Sequence, residues 1–353
     1  MAMKELAYTA KRQLESATQQ SFRHAHVHEL LAACFGFKSS AALHSHHLLA
    51  VLDAKPVIPA EHLLCLNGRL SELGYSHVAD SAGAVLLQLI QDRRLGAVSL
   101  DEVLASLNGE DWPDQDDWDW EDDEQASPAQ STPRIDLDQV ELLMHSLAEV
   151  AQRGDAKAHF ALVLLYRGDE FEEVEGSEYW HSLLAQGREL TGIELEWALA
   201  YKENTSKEER QTFHLQEAAR LGYGAAQLEL ALDAAQEAEA KGDFEGAKRW
   251  YTEAASLGDV DAMRALIDEY DEHNLFQNWV WVFLSELLGH DLRESSLRAY
   301  HDGGLYADQD YDDDQGGPLY VAGDEGVDLP AISEMQEQEA RQLAEQLFRR
   351  ITQ

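Results

Sequence analysis

One spacing that recurs four times after residue 150 constrains the fold of this chain more than any other feature. Each copy starts with a small or apolar residue, places a large apolar residue four positions later, and leads to a second segment that ends in glycine. The starts lie 35, 33 and 36 residues apart, a period that is typical of stacked helix pairs. The starts are Ala158, Ile193, Ala226 and Ala262, and the closing glycines are Gly187, Gly222, Gly258 and Gly289.

The residue types at these positions suit helix pairs. Small side chains let neighbouring helices approach closely, while tyrosines and tryptophans fill the space between pairs. Glycine supplies the left-handed conformation that ends a helix. Because one pair cannot bury its apolar face alone, the stacked pairs must share a core. The pattern predicts an all-α fold, with an α/α helix-pair solenoid of about five repeats preceded by a small helical domain.

The clearest copies are AKRWYTEAASLG at residues 247–258 and GDVDAMRALIDEY at residues 258–270. These residues resemble the Sel-one-like repeat family, a relative of the tetratricopeptide repeats, and the resemblance covers residues 137–353. Repeat two departs from the pattern, because His214 and Leu215 replace its Trp-Tyr pair. Repeat four has Ser285 and Glu286 where two alanines are expected. The resemblance implies a right-handed superhelix that serves as an adaptor for protein complexes, often in bacterial signalling.

Charge divides the chain into three parts. Residues 1–109 carry 9 basic and 10 acidic side chains, residues 110–133 carry none and 10, and residues 134–353 carry 18 and 47. This distribution predicts a small N-terminal domain (1–109), an acidic linker (110–133) and an acidic solenoid (134–353). The formal net charge of −40 disfavours nucleic acid and anionic membranes as partners, and it favours a basic protein surface.

The acidic linker also contains tryptophans, of which Trp118 and Trp120 are candidate partner-binding residues. In one interpretation the linker is a spacer whose tryptophans have no specific role. In the other, aromatic residues among acids dock onto a partner or back onto the parent protein.

A second acidic stretch, residues 301–329, interrupts the last repeat. It does not match an EF-hand, because the glycine and the glutamate that a calcium loop requires are missing from their positions. A solvated acidic loop is one interpretation, and a functional loop is the other, since long loops are often functional. Its candidate partner-binding residues are Asp310, Asp312, Asp313 and Asp314.

In related helix-pair repeats the first helix of each pair lines the concave surface. Basic residues at such positions, next to apolar ones, could clamp a carboxylate or an acidic tail. Alternatively, these charges pair with acidic neighbours on adjacent repeats. The candidate residues on this face are Lys157, Phe160, Arg167, Lys202, Arg264, Asp268 and Asp271, accompanied by Leu164, Leu195 and Leu228.

The first 109 residues predict a compact helical domain. Within it, Leu30–Leu43 resembles a helix-turn-helix, with Gly36 in the turn and Ser39 as the N-cap. A transcription-linked regulator that uses this segment is the alternative function, although its weak positive charge favours a packing role. The predicted helices cover residues 3–18, 22–34, 39–51, 60–73, 82–93 and 99–107.

The sequence predicts no enzyme. It contains no nucleophile motif, phosphate loop or dinucleotide fingerprint, so no cofactor is expected. His24 and His28 have the spacing of a shared zinc site, but surface or partly buried histidines are the default interpretation and no metal is expected. Cys34 and Cys65 are too few for a disulfide framework, and the N-terminus lacks a signal peptide, so a cytoplasmic protein is expected. The predicted function is a non-enzymatic interaction scaffold or adaptor that binds or inhibits a basic protein partner.

Overall fold

The computed structural model describes residues 3–108, 134–167, 176–303, 307–314 and 316–352. These residues are predominantly helical with two small antiparallel sheets, which confirms the all-α class. The chain divides into two compact units, Met1–Tyr223 and Gly224–Gln353. Within the described ranges, no helix is both long and apolar enough to cross a membrane.

The first unit consists of ten helices and a two-stranded sheet in its described part. Two short 3-10 turns, Ser76–Val78 and Leu137–Gln139, precede α5 and α7. The elements are α1 (Met3–Thr18), α2 (His24–Cys34), α3 (Ser40–His46), β1 (His47–Val51), α4 (Ala60–Glu72), α5 (Ala79–Asp92), β2 (Leu95–Ser99), α6 (Leu100–Asn108), α7 (Glu141–Ala151), α8 (Ala156–Arg167), α9 (Ser177–Ala185) and α10 (Ile193–Arg220).

Helix α2 lies at the centre of the core of this unit. Its Leu30, Leu31 and Cys34 are buried, as expected for a helix that is apolar around most of its circumference. Helices α1, α4 and α5 supply further buried residues. Leu142 of α7 joins the same core, so α7 packs with the N-terminal helices and with β1.

The predicted helix over residues 39–51 is correct only in its first half. The Oγ of Ser39 accepts a hydrogen bond from the backbone N–H of Ala42 at 3.1 Å, so Ser39 caps α3 as predicted. The helix ends at His46, and the next five residues form β1, which pairs antiparallel with β2 and places Leu49 opposite Ala97. A short apolar run such as HLLAV is compatible with a buried strand and with a helix, and local periodicity does not distinguish them.

Repeat two contains one helix where the spacing predicts two. Helix α10 runs without interruption for 28 residues, and both α8 and α9 pack along it. Between Tyr201 and Leu215 the sequence has no glycine or proline and is rich in Lys, Glu and Arg. These residues favour helix, and this stretch contains no signal that would end one.

The second unit combines five helices and two strands among its described residues. Helix α13 continues into a single π-helical turn, Leu266–Tyr270. Residues 288–297 form turns and irregular backbone and Tyr300 lies in a strand, so the last of the five predicted repeats does not begin with a helix before the stretch at residues 301–329. The elements are α11 (Gly224–Ala240), α12 (Phe244–Ser256), α13 (Val260–Ala265), α14 (Leu275–Leu287), β3 (Arg298–His301), β4 (Leu319–Ala322) and α15 (Glu334–Ile351).

The glycines predicted to end helices do so. Gly187, Gly222, Gly258 and Gly289 all have positive φ, between 83° and 107°. After α12, Gly258 donates to the carbonyl of Ala255 and Asp259 donates to that of Ala254, both at 3.1 Å. This pair of hydrogen bonds satisfies the last carbonyls of a helix. The helix ends are therefore correct, while the regular solenoid remains a prediction.

Candidate functional site

Two of the predicted concave residues in the first unit have partners within it. The Nζ of Lys157 lies 2.5 Å from Oδ1 of Asp101 on α6, and this hydrogen bond raises the pKa of the lysine. Phe160 is buried, with its ring centroid 4.9 Å from that of Tyr223. Both side chains therefore join elements of the unit. Arg167 is exposed at the end of α8.

The predicted concave charges of the second unit also pair internally. Nη1 of Arg264 donates to the carbonyl of Glu325 at 2.9 Å and lies 3.9 Å from Oδ2 of Asp268. Nε of Arg264 lies 3.8 Å from Oδ2 of Asp324. Asp271 receives a hydrogen bond from Nζ of Lys248 at 2.8 Å. For these residues the structure fits the alternative that the charges pair with neighbours. Leu195 and Leu228 are half-buried.

A cleft of about 700 Å³ opens between α6, α7, α8 and α10 in the first unit. Two predicted concave residues, Leu164 and Lys202, line it. Leu137 and Leu199 also line it and are nearly half exposed. The other lining residues are Leu107, Val140, Met144, Leu165, Tyr166, Glu203, Ser206, Lys207 and Arg210.

One face of α10 gives this cleft a positive rim. Leu199, Lys202, Lys207 and Arg210 all line the cleft, and their helical spacing places them on one side of α10. Within the described residues, neither Lys202 nor Arg210 has a carboxylate within 4.0 Å. Lys207 and Arg210 were not predicted, because the repeat spacing places a break in this helix; their spacing on one long helix is the signal that could have found them.

A pair of histidines lies beside the cleft. Nε2 of His159 is 3.1 Å from the carbonyl oxygen of Ala151, so Nε2 carries the proton and donates. Nδ1 of His159 then accepts a hydrogen bond from Nδ1 of His214 at 2.8 Å. Tyr166, which lines the cleft, stacks on His214 with centroids 5.9 Å apart. Because one of the two facing Nδ1 atoms must accept the hydrogen bond, the arrangement cannot form when both imidazoles are doubly protonated.

This pair predicts that the first unit loses stability as the pH falls. Burial, with the positive charges of His159 and Arg210, lowers the pKa of His214 to about 4. The unfolded chain therefore binds more protons between about pH 6.5 and about pH 4, so the free energy of unfolding decreases as the pH falls through this window. Burial also lowers the pKa of His28 and His44, which adds to the effect.

We expect His214→Phe to flatten this pH dependence, as measured by urea unfolding at about pH 7 and about pH 5. His273→Phe is the matched control, because this side chain is 92% exposed. Equal pH slopes for the two variants would contradict the role given to His214.

The second candidate surface is a small sheet in residues 298–322, where the sequence predicted an acidic loop. Strand β3 pairs antiparallel with β4, and Tyr300 stacks on Tyr320 with centroids 5.5 Å apart. On its other side, β3 pairs with part of the predicted acidic loop, because the backbone N–H of Tyr311 donates to the carbonyl of Ala299 at 2.8 Å. Asp310, Asp312, Asp313 and Asp314 are exposed in this segment. The loop is therefore acidic as predicted but partly folded.

The outer edge of β4 is open in the part of the chain that is described. The backbone N–H of Asp302 donates to the carbonyl of Pro318, and that of Ser296 donates to the carbonyl of Asp324. In an antiparallel ladder every second residue of a strand bonds to a given neighbour. The backbone groups of Leu319 and Val321 therefore point away from β3. The side chains of three successive residues are exposed as well: Leu319 by 45%, Tyr320 by 39% and Val321 by 58%. This strand was not predicted, although the apolar run LYVA between glycine-containing turns is a strand signal.

The remaining predicted sites give no comparable geometry. Trp118 and Trp120 lie outside the described residues. The rings of His24 and His28 are 4.9 Å apart, but no group of three or more metal-ligating side chains forms within the described ranges. Cys34 is buried in the core, and burial raises the pKa of its thiol.

No protein-family model, curated protein or solved structure matches this chain.

Proposed function

We propose that this chain is a non-enzymatic protein-interaction scaffold that binds a basic protein through the open edge of β4. The observation that carries the proposal is the outward-facing backbone of Leu319 and Val321 on a strand whose apolar side chains are exposed. An extended segment of a partner can add to such an edge as a further strand. β4 is only four residues long, but its apolar side chains and outward backbone groups are exposed together, and such an edge can pair with another strand.

The charge around this edge favours a basic partner. Asp310, Asp312, Asp313 and Asp314 lie across β3 from β4, and Asp324 lies two residues after the end of β4. Main-chain hydrogen bonds would supply register and affinity, while opposite charges would speed the encounter and select basic segments. The resemblance to Sel-one-like repeats and the cytoplasmic location expected from the sequence are part of the same proposal, and both suit an adaptor.

Arg264 supports this surface by holding it against a helix. Its guanidinium donates to the carbonyl of Glu325, just beyond β4, at 2.9 Å and approaches Asp324. Val327 further along donates to the carbonyl of Leu292 at 2.8 Å. A sheet anchored in this way loses little conformational freedom when a strand is added, which favours binding.

The test is fluorescence anisotropy of a labelled peptide with alternating lysine and valine, titrated with the full chain. We expect salt-sensitive binding that is weakened at least about tenfold by Val321→Lys, because the new charge repels the peptide and removes an apolar contact. Conversion of Asp310, Asp312, Asp313 and Asp314 to asparagine should also weaken binding. Val57→Lys is the matched control, since Val57 is 91% exposed in the first unit and the substitution adds the same charge.

Two results would overturn the proposal. One is binding by the Val321→Lys chain that equals wild type. The other is an equal loss in the Val57→Lys chain, which would show that only total charge matters. Backbone exchange measured by NMR or mass spectrometry adds an independent readout, because strand addition must protect the amide protons of Leu319 and Val321.

A further inference from the structure

The cleft of the first unit has the opposite character to the β4 edge, because it combines apolar lining with basic residues in a strongly acidic chain. We propose that this cleft binds the chain's own acidic linker, the segment of residues 110–133. The proposal concerns a different unit and a ligand of opposite charge, so it stands independently of the β4 surface.

The cleft offers both kinds of contact that an acidic, aromatic segment needs. Leu137 and Leu199 present exposed apolar surface inside it. Lys202, Lys207 and Arg210 border this surface, and Glu203 is the single acidic lining residue in the described part of the chain. Aromatic side chains buried on such a surface and carboxylates at a basic rim are a frequent combination in binding sites.

The sequence of residues 110–133 matches this chemistry. It contains ten acidic and no basic side chains, together with Trp112, Trp118 and Trp120. The tryptophans stand among the acidic residues, so apolar and charged contacts can form at the same time. Its net charge of −10 is best neutralised where cations are concentrated, and they are scarce elsewhere in a chain of net charge −40.

Described residues that flank residues 110–133 on both sides line the cleft. Leu107, at the end of α6, lines the cleft and lies three residues before Glu110. Leu137 and Val140 line it too and follow Pro133 by four and seven residues. A segment tethered at both ends has an effective concentration on the order of millimolar, so even weak contacts keep it bound.

The experiment uses the full chain with a labelled synthetic peptide of residues 110–133 as the probe. In a cleared variant, the ten acidic residues of the segment become amides and its three tryptophans become serine. We expect the peptide to bind the cleared variant at least about tenfold more tightly than wild type, whose cleft is already occupied. Raising the salt concentration should weaken this binding.

Substitutions in the cleared background locate the site. Lys202→Glu with Arg210→Glu should reduce peptide affinity by about tenfold or more. The matched control is Lys38→Glu with Lys55→Glu, which makes the same charge change at exposed positions outside the cleft. Leu199→Ser, a change at a nearly half-exposed side chain, should weaken binding without reversing any charge. Circular dichroism checks that each variant is folded.

Three results would overturn the proposal. Equal peptide binding by wild type and the cleared variant would mean that the cleft is open to an acidic peptide of another protein. No binding by the folded cleared variant would mean that the segment has no affinity for the chain. Equal effects of the cleft pair and the control pair would place the binding elsewhere.

Discussion

Replacing Trp281 with alanine is expected to destabilise the second unit by roughly 3–5 kcal/mol. Trp281 lies in α14 and is only 2% exposed, within a core that also contains Phe283, Ala340 and Ala344. Its removal loses the burial of a large apolar side chain and leaves a cavity that the helices cannot fill completely. Because a domain has a total stability of about 5–15 kcal/mol, such a loss is easily measured.

The measurement is chemical unfolding followed by circular dichroism, since the substitution itself changes tryptophan fluorescence. Phe244→Ala is the control, because Phe244 belongs to the same unit but is 70% exposed. We expect the control to change the unfolding midpoint very little. A similar small change in the Trp281→Ala chain would show that α14 does not organise this core.

Replacing Gly323 with alanine is expected to disrupt the β3–β4 pairing and abolish binding at the β4 edge. Gly323 follows β4 directly with φ of +98°, a conformation that costs an alanine roughly 1–2 kcal/mol. A Cβ atom there would also lie 2.3 Å from the carbonyl oxygen of Ser296, which the backbone must move to accommodate. Ser296 donates to the carbonyl of Asp324 at 3.0 Å, so this movement breaks the ladder beside β4.

The variant Gly303→Ala separates the effect of backbone strain from the effect of the clash with Ser296. Gly303 has a similar φ of +87°, but its Cβ would meet no described residue within 4 Å. The control therefore carries the strain of the left-handed conformation without the clash. Hydrogen exchange of β3 and β4 amides should accelerate strongly in the Gly323→Ala chain and only slightly in the control. Comparable exchange in both chains would contradict a role for the close approach to Ser296.

The parts of the fold that were predictable are those set by local sequence. Helix α1 has the predicted bounds, Ser39 caps α3, and Gly258 closes α12 through hydrogen bonds to its own last turn. The missed parts depend on contacts between distant residues. The pairing of Leu49 with Ala97 could not be inferred from either five-residue run alone, because both runs are also compatible with helix.

The candidate surfaces show the same difference between features set by local sequence and features set by distant contacts. Lys202 lines a cleft, and its use by a partner remains a prediction, whereas Lys157 and Arg264 were assigned to a binding face and form internal contacts. Their partners, Asp101 and Glu325, lie more than fifty residues away in the sequence. A helical register specifies which side a residue faces, but it does not specify what the fold places opposite that side.

The open edge of β4 also has a consequence for how molecules of this chain behave toward one another. Two copies of an exposed apolar strand can pair with each other as readily as with a partner, and identical edges can do so about a two-fold axis. What opposes this is the mutual repulsion of molecules that each carry a net charge of −40. The acidic surface thus acts as a colloidal stabiliser. Near the isoelectric point of about 4.5 this repulsion disappears, and the β4 edges of two molecules can then pair.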